Sequence, residues 1–153
     1  MIAVGDAAPE FQGTTGDGTS LSLASLKGRP LVLYFYPKAH SSGCRLETRG
    51  FAEHYPELQR AGIQVVGVSV DSVEDQKSFA AKCGAAFPLV ADHDRSIARA
   101  YGVLGLLGVA RRVTFFVGPD GRVEDVVEGL RPGPHVARAI ERAAKSPPAA
   151  PPP

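Results

Sequence analysis

The chain has two thiols, Cys44 and Cys83, and a thiol becomes a nucleophile when it ionises. Cys44 follows the apolar run Leu31-Val-Leu-Tyr-Phe-Tyr36, closed by Pro37, and falls at the predicted first turn of a helix. Unpaired backbone N–H groups and the positive dipole end favour an anion there, and a nearby cation would favour the thiolate further. An inert small helix residue would fit the same position, so position alone leaves both readings open. Cys83 is placed the opposite way, just before Gly84 at the predicted end of a second helix, where the negative dipole end disfavours a thiolate. Arg111 and Arg112 are candidate cations. Successive strand residues point to opposite faces, so both should not reach Cys44. Glu47, one turn after Cys44, either joins the site or simply suits the helix dipole, and His40 reads as a solvent-facing loop residue.

Other chemistry finds less support. No Cys-x-x-Cys or His-x-x-x-His spacing occurs, and His40, His54, His93 and His135 are scattered, which argues against a structural zinc site. Neither a Gly-x-Gly-x-x-Gly nor a Gly-x-x-x-x-Gly-Lys-Ser/Thr phosphate loop is present.

The elements that must position these residues follow from the pattern of apolar residues. Gly5 to Gly28 reads as an N-terminal β-hairpin region, and Leu31 to Tyr36 as a strand buried on both faces. Cys44 to Gly62 carries Phe51, Tyr55 and Leu58 on one helical face, with a kink or break expected at Tyr55-Pro56. Ile63 to Val70 is a second central strand. Asp71 and Ser72 form an N-cap signature for a helix that runs to the C-cap Gly84. A shorter helix is predicted around Asp94 to Tyr101, followed by a Gly-rich apolar loop from Gly102 to Ala110. Val113–Val117 and Val123–Glu128 flank the turn Gly118-Pro-Asp-Gly121 as a hairpin, and a last helix spans roughly His135 to Lys145. The order suggests an α/β fold, a thioredoxin-like mixed central sheet with helices on both faces. It forms one domain over 1–145, with a flexible proline-rich tail over 146–153.

At 153 residues, 44% hydrophobic and 22% charged, with a net charge of +1, the chain reads as globular. It lacks the charge footprint of a nucleic-acid binder or a polybasic membrane anchor. Met1 to Phe11 does not read as a secretory signal, so a cytoplasmic location is expected. No exposed apolar stripe stands out, and a monomer or weak homodimer is expected.

The neighbours of Cys44 carry a specific resemblance. Pro37-Lys-Ala-His-Ser41-Ser-Gly-Cys44 matches the Pro-x-x-x-Thr/Ser-x-x-Cys motif of the peroxiredoxins. Tyr34-Phe-Tyr-Pro-Lys38, Gly43-Cys44 and Glu47 resemble the peroxiredoxin Q subfamily, also called bacterioferritin comigratory proteins. The resemblance continues through Gly67-Val-Ser-Val-Asp71, Phe87-Pro-Leu-Val-Ala-Asp92 and Arg112-Val-Thr-Phe-Phe-Val-Gly-Pro-Asp-Gly121. It implies a thioredoxin-dependent, cofactor-free peroxidase that reduces hydrogen peroxide and organic hydroperoxides. In that scheme Cys44 attacks, Pro37 shields the thiolate, Ser41 hydrogen-bonds the peroxide and Arg112, selected over Arg111 by the Arg-x-Thr-Phe pattern, supplies positive charge.

The chain also departs from the subfamily. The local resolving cysteine found in many members is replaced by Arg49, and the alternative position on the later helix holds Ala80, with Cys83 one turn further on. The resemblance therefore implies Cys83 as the resolving thiol along an altered path, giving an intramolecular disulfide for thioredoxin or a similar dithiol to reduce. A buried inert Cys83 would instead leave a single-cysteine peroxidase. A redox sensor or binding module without turnover is the alternative of a different class.

Overall fold

In the computed structural model of the chain, residues 1–145 are described, and the tail expected over 146–153 lies outside them. The strands are β1 (Gln12–Thr15), β2 (Ser20–Ser22), β3 (Leu31–Phe35), β4 (Gln64–Ser69), β5 (Leu89–Ala91), β6 (Val113–Val117) and β7 (Val123–Glu128). The helices are α1 (Ser42–Arg60), α2 (Val73–Cys83), α3 (Ser96–Tyr101) and α4 (Pro132–Lys145). The strands form one mixed sheet in the order β2-β1-β5-β4-β3-β6-β7. β3 pairs parallel to β4 and antiparallel to β6, so it lies inside the sheet with a neighbour on each side, as its fully buried sequence requires.

Alternation along β3 divides the core. Leu31, Leu33 and Phe35 join Val66, Val90, Phe115 and the α3 residues Ile97 and Tyr101 on one face. Val32, Tyr34 and Tyr36 join Cys44, Phe51, Leu58, Phe79, Cys83, Phe116 and Ala139 on the other, under α1, α2 and α4. Helices thus cover both faces. The thioredoxin-like fold expected from the sequence is the one observed.

Three local expectations change. Helix α1 runs unbroken through Pro56. Proline inside a helix costs about 3 kcal/mol, but Phe51 and Leu58 on either side of it are fully buried, each contributing about 1.5–3 kcal/mol, and this shared apolar face keeps the helix from breaking there. Strand β5 is additional: three residues are too few to show a period, yet they join β4 to the N-terminal hairpin through β1. Asp71 does not cap α2. Ser72 does, accepting from the backbone N–H of Asp75, with Gly84 closing the helix in the left-handed conformation. Asp71 instead accepts from Ala39 N–H at 2.7 Å and from the Ser69 hydroxyl at 2.6 Å, tying the loop before Cys44 to the end of β4.

Candidate active site

The loop from Pro37 to Ser41 carries the chain from the C-terminal end of β3 into α1, and Cys44 is the third residue of that helix. Its side chain is fully buried. Ser41 is the N-cap residue in backbone terms, but its hydroxyl makes no cap bond and donates to the Lys38 carbonyl at 2.8 Å. That leaves the hydroxyl oxygen's lone pairs as acceptors. His40 has a left-handed backbone (φ 68°) and is half-buried, its ring edge-on to Phe79 with centroids 5.3 Å apart. It is a packed loop residue, which corrects the solvent-facing expectation.

Arg112 enters from the start of β6 and is buried. Its Nη2 donates to Cys44 Sγ at 3.5 Å, its Nη1 to Glu47 Oε1 at 2.6 Å and its Nε to the Leu130 carbonyl at 2.9 Å. These three bonds fix the planar guanidinium against the sulfur. Gly43 makes the approach possible: a Cβ on it would stand 3.1 Å from Arg112 Nη2. Arg111 points elsewhere. It is exposed, donates to the Gly102 carbonyl at 2.9 Å and lies 3.6 Å from Glu128 Oε2. The structure therefore brings Arg112, and not Arg111, together with Cys44.

Glu47 is fully buried. Burial pushes its carboxyl up to about 7, against the lowering effect of the Arg112 charge and hydrogen bond. Burial also works against the Arg112 charge, yet Glu47 and Cys44 hold the guanidinium above its ordinary range. Behind Glu47 stands His135 of α4, also fully buried, with its Nδ1 3.8 Å from Glu47 Oε2 and 2.8 Å from Thr114 Oγ1. Sequence reading passed over both His135 and Thr114, because nothing in their spacing ties α4 or β6 to Glu47.

Cys83, the last residue of α2, is buried in the same apolar cluster as Cys44, and both thiols are free. Burial pushes the Cys83 thiol up, opposed by the charges of Arg49 and Arg45. No group of three or more metal-ligating His, Cys, Asp or Glu side chains occurs among the described residues.

Pro37, half-buried, and the buried Arg112 form one wall of a cavity of about 440 Å³ whose other walls include Leu106, Leu107, Val109 and Leu130. Leu106, Leu107 and Leu130 are 107%, 92% and 82% exposed. An apolar rim therefore lines the mouth, and the expectation that no exposed apolar stripe stands out, one ground for a monomer or weak dimer, does not hold. Among the described residues no helix is long and apolar enough to cross a membrane.

Known proteins share both the sequence and this architecture. Residues 4–126 match the AhpC/TSA family. Peroxiredoxin Bcp of Escherichia coli (strain K12) is 32% identical over 141 residues, 88% of this chain and 90% of that protein. The crystal structure of peroxidoxin BcpB from Mycobacterium tuberculosis superposes with a TM-score of 0.88 at 30% identity, over 95% of this chain and 98% of that one. A structure of the Xanthomonas campestris bacterioferritin comigratory protein, from work on its alkyl peroxide reduction activity, gives a TM-score of 0.83 at 32% identity, over 92% and 98% of the two chains. By fold and by sequence the chain belongs to the AhpC/TSA family, among the peroxiredoxins of the Bcp, or peroxiredoxin Q, type.

Proposed function

We propose that the chain reduces hydroperoxides through Cys44, and the observation that carries this reading is the contact of Arg112 Nη2 with Cys44 Sγ. The Cys44 thiolate attacks the outer peroxide oxygen, the S–O bond forms as the O–O bond breaks, and the departing alkoxide or hydroxide takes up a proton to leave as alcohol or water. Cys44 is left as the sulfenic acid. Arg112 stabilises the thiolate before attack and the oxygen on which charge grows during it. The Ser41 oxygen accepts from the peroxide O–H, and Pro37 limits access of bulk water to the sulfur.

The apolar rim of Leu106, Leu107 and Leu130 favours organic hydroperoxides, whose carbon chain it can cover, alongside hydrogen peroxide. Alkyl peroxide reduction by the X. campestris protein supports that reading. Cys83 then attacks the Cys44 sulfenic acid, forming the disulfide and releasing water, and thioredoxin or a similar dithiol reduces it. The two thiols are free and share one apolar cluster on separate helices, and a disulfide needs Cα atoms within about 7 Å, so on this reading one or both helix ends unwind as the bond forms. Burial of Cys83 favours the second reading, a single-cysteine peroxidase in which Cys83 is core.

NADPH-coupled turnover with thioredoxin and thioredoxin reductase tests the whole scheme. Peroxide-dependent NADPH loss that vanishes in Cys44→Ser is the expected result. Oxidation of Cys44 without turnover would make the protein a sensor.

A further inference from the structure

The Arg112–Glu47 pair does not end at Glu47. One carboxyl oxygen, Oε1, accepts from Arg112, whereas Oε2 is buried with no hydrogen-bond partner among the described residues. The polar group opposite it is His135 Nδ1, at 3.8 Å. The tautomer of His135 follows from its other contacts. Nε2 lies 2.8 Å from the Gly129 carbonyl, which can only accept, so Nε2 carries the proton. Burial, with the nearby Arg112 charge, lowers the His135 pKa, so the imidazole is neutral and Nδ1 presents a lone pair. Thr114 donates to that lone pair at 2.8 Å, and its hydroxyl can rotate away. A lone pair facing Oε2 repels an ionised Glu47 and suits a protonated one.

We propose that His135 is a positioning residue that acts through Glu47: its Nδ1 lone pair accepts a hydrogen bond from Glu47 Oε2–H, the proton staying on the carboxyl and keeping it uncharged, so that the charge of Arg112 is directed at Cys44. An ionised Glu47, 2.6 Å from the guanidinium, would cancel much of that charge. The proton stays on Glu47 throughout, so the device needs no outside reactant. The titratable and charged groups facing Glu47 are Arg112 ahead of β6, His135 on α4, Tyr34 on β3 and, through Arg112, Cys44. Tyr34 is held well above its ordinary range by burial and stays neutral.

The proposal rests on Cys44 as the attacking thiol, and its test reads the thiolate directly, without peroxide, so a failure of the peroxidase reading is a separate result. The thiolate ultraviolet absorbance is followed across pH in a Cys83→Ser background, where Cys44 is the only thiol. His135→Gln keeps a donor for the Gly129 carbonyl but removes the lone pair at the Nδ1 position. Its thiolate midpoint should rise by about half to one pH unit, or three- to tenfold less thiolate below the midpoint. In a Glu47→Gln background, where no carboxyl can ionise, the same change at His135 should have no effect. A His135→Gln titration that superimposes on its parent, or an equal displacement in both backgrounds, overturns the proposal. If His135→Gln does not fold, Thr114→Val removes the competing donor to Nδ1 at nearly constant volume. It should displace the midpoint downward, and an unmoved or raised midpoint overturns the proposal in the same way.

Discussion

Cys44 and Cys83 lie in one apolar cluster, both buried and both free, yet opposite helix ends and different neighbours separate them. Cys44 stands at the start of α1 with a buried guanidinium on its sulfur, and Cys83 at the end of α2, where burial raises its pKa and Arg49 and Arg45 offset this only in part. Burial alone therefore does not decide whether a thiol reacts. On the proposed reading, what decides it is whether the surroundings replace the water lost from the anion, as Arg112 and the first turn of α1 would for Cys44.

The sharpest way to break this contrast is to remove each sulfur. Cys44→Ser should abolish peroxide consumption. Cys83→Ser should leave the first oxidation of Cys44 intact and stop thioredoxin-driven turnover, with mass spectrometry after one equivalent of peroxide showing persistent sulfenic acid in place of a Cys44–Cys83 linked peptide. Normal turnover of Cys83→Ser would assign Cys83 to the core.

Removing the cation should reduce Cys44 toward an ordinary buried thiol. Arg112→Ala is expected to slow oxidation on the order of 10²–10³-fold, as loss of a transition-state donor does elsewhere, while Arg111→Ala, which removes an exposed side chain bonded to the Gly102 carbonyl, should stay near the wild-type rate. Stopped-flow peroxide kinetics on the two variants measures both. Equal losses would mean that general positive charge, and not the geometry of Arg112, activates the thiol.

The buried groups behind Arg112 make stability depend on pH in a defined direction. The folded-state pKa of Glu47, about 7, lies above its ordinary value of 4.5. The native state therefore keeps this proton longer than the unfolded chain, and stability is full below about 4.5 and falls as pH rises toward 7. The loss amounts to at most about 3.5 kcal/mol, taking one unit as about 1.4 kcal/mol. His135 acts at the other end: its pKa is lowered from 6.5, so its contribution is present above that value and lost as pH falls. Urea midpoints across this range should show the high-pH loss in wild type, and Glu47→Gln should remove it.

The smallest expected effect belongs to Ser41. Ser41→Ala removes the hydroxyl without adding bulk and should slow oxidation about fivefold, the equivalent of one hydrogen bond of about 1 kcal/mol. Folding should be little affected, since the hydroxyl's bond to the Lys38 carbonyl lies in an exposed loop.

Much of this protein is legible in its sequence because the relevant signals are local. The apolar run of β3, the Ser72 and Gly84 caps of α2 and the β6–β7 hairpin each depend on neighbouring residues, and each forms as expected. The motif around Cys44 is equally compact, and the two-residue alternation of a strand separates Arg112 from Arg111. Tertiary structure decided what depends on partners distant in the chain. The three residues of β5 become a strand only because β4 and β1 flank them, and α1 survives Pro56 only because Phe51 and Leu58 are buried under it. Glu47 and His135 meet because α1 and α4 pack on the same face of the sheet, and no residue near either in sequence announces the other. Local preference writes the elements and the reactive motif; burial between distant elements sets the charge states around it, because a group's pKa depends on the water and charge it loses or gains on folding.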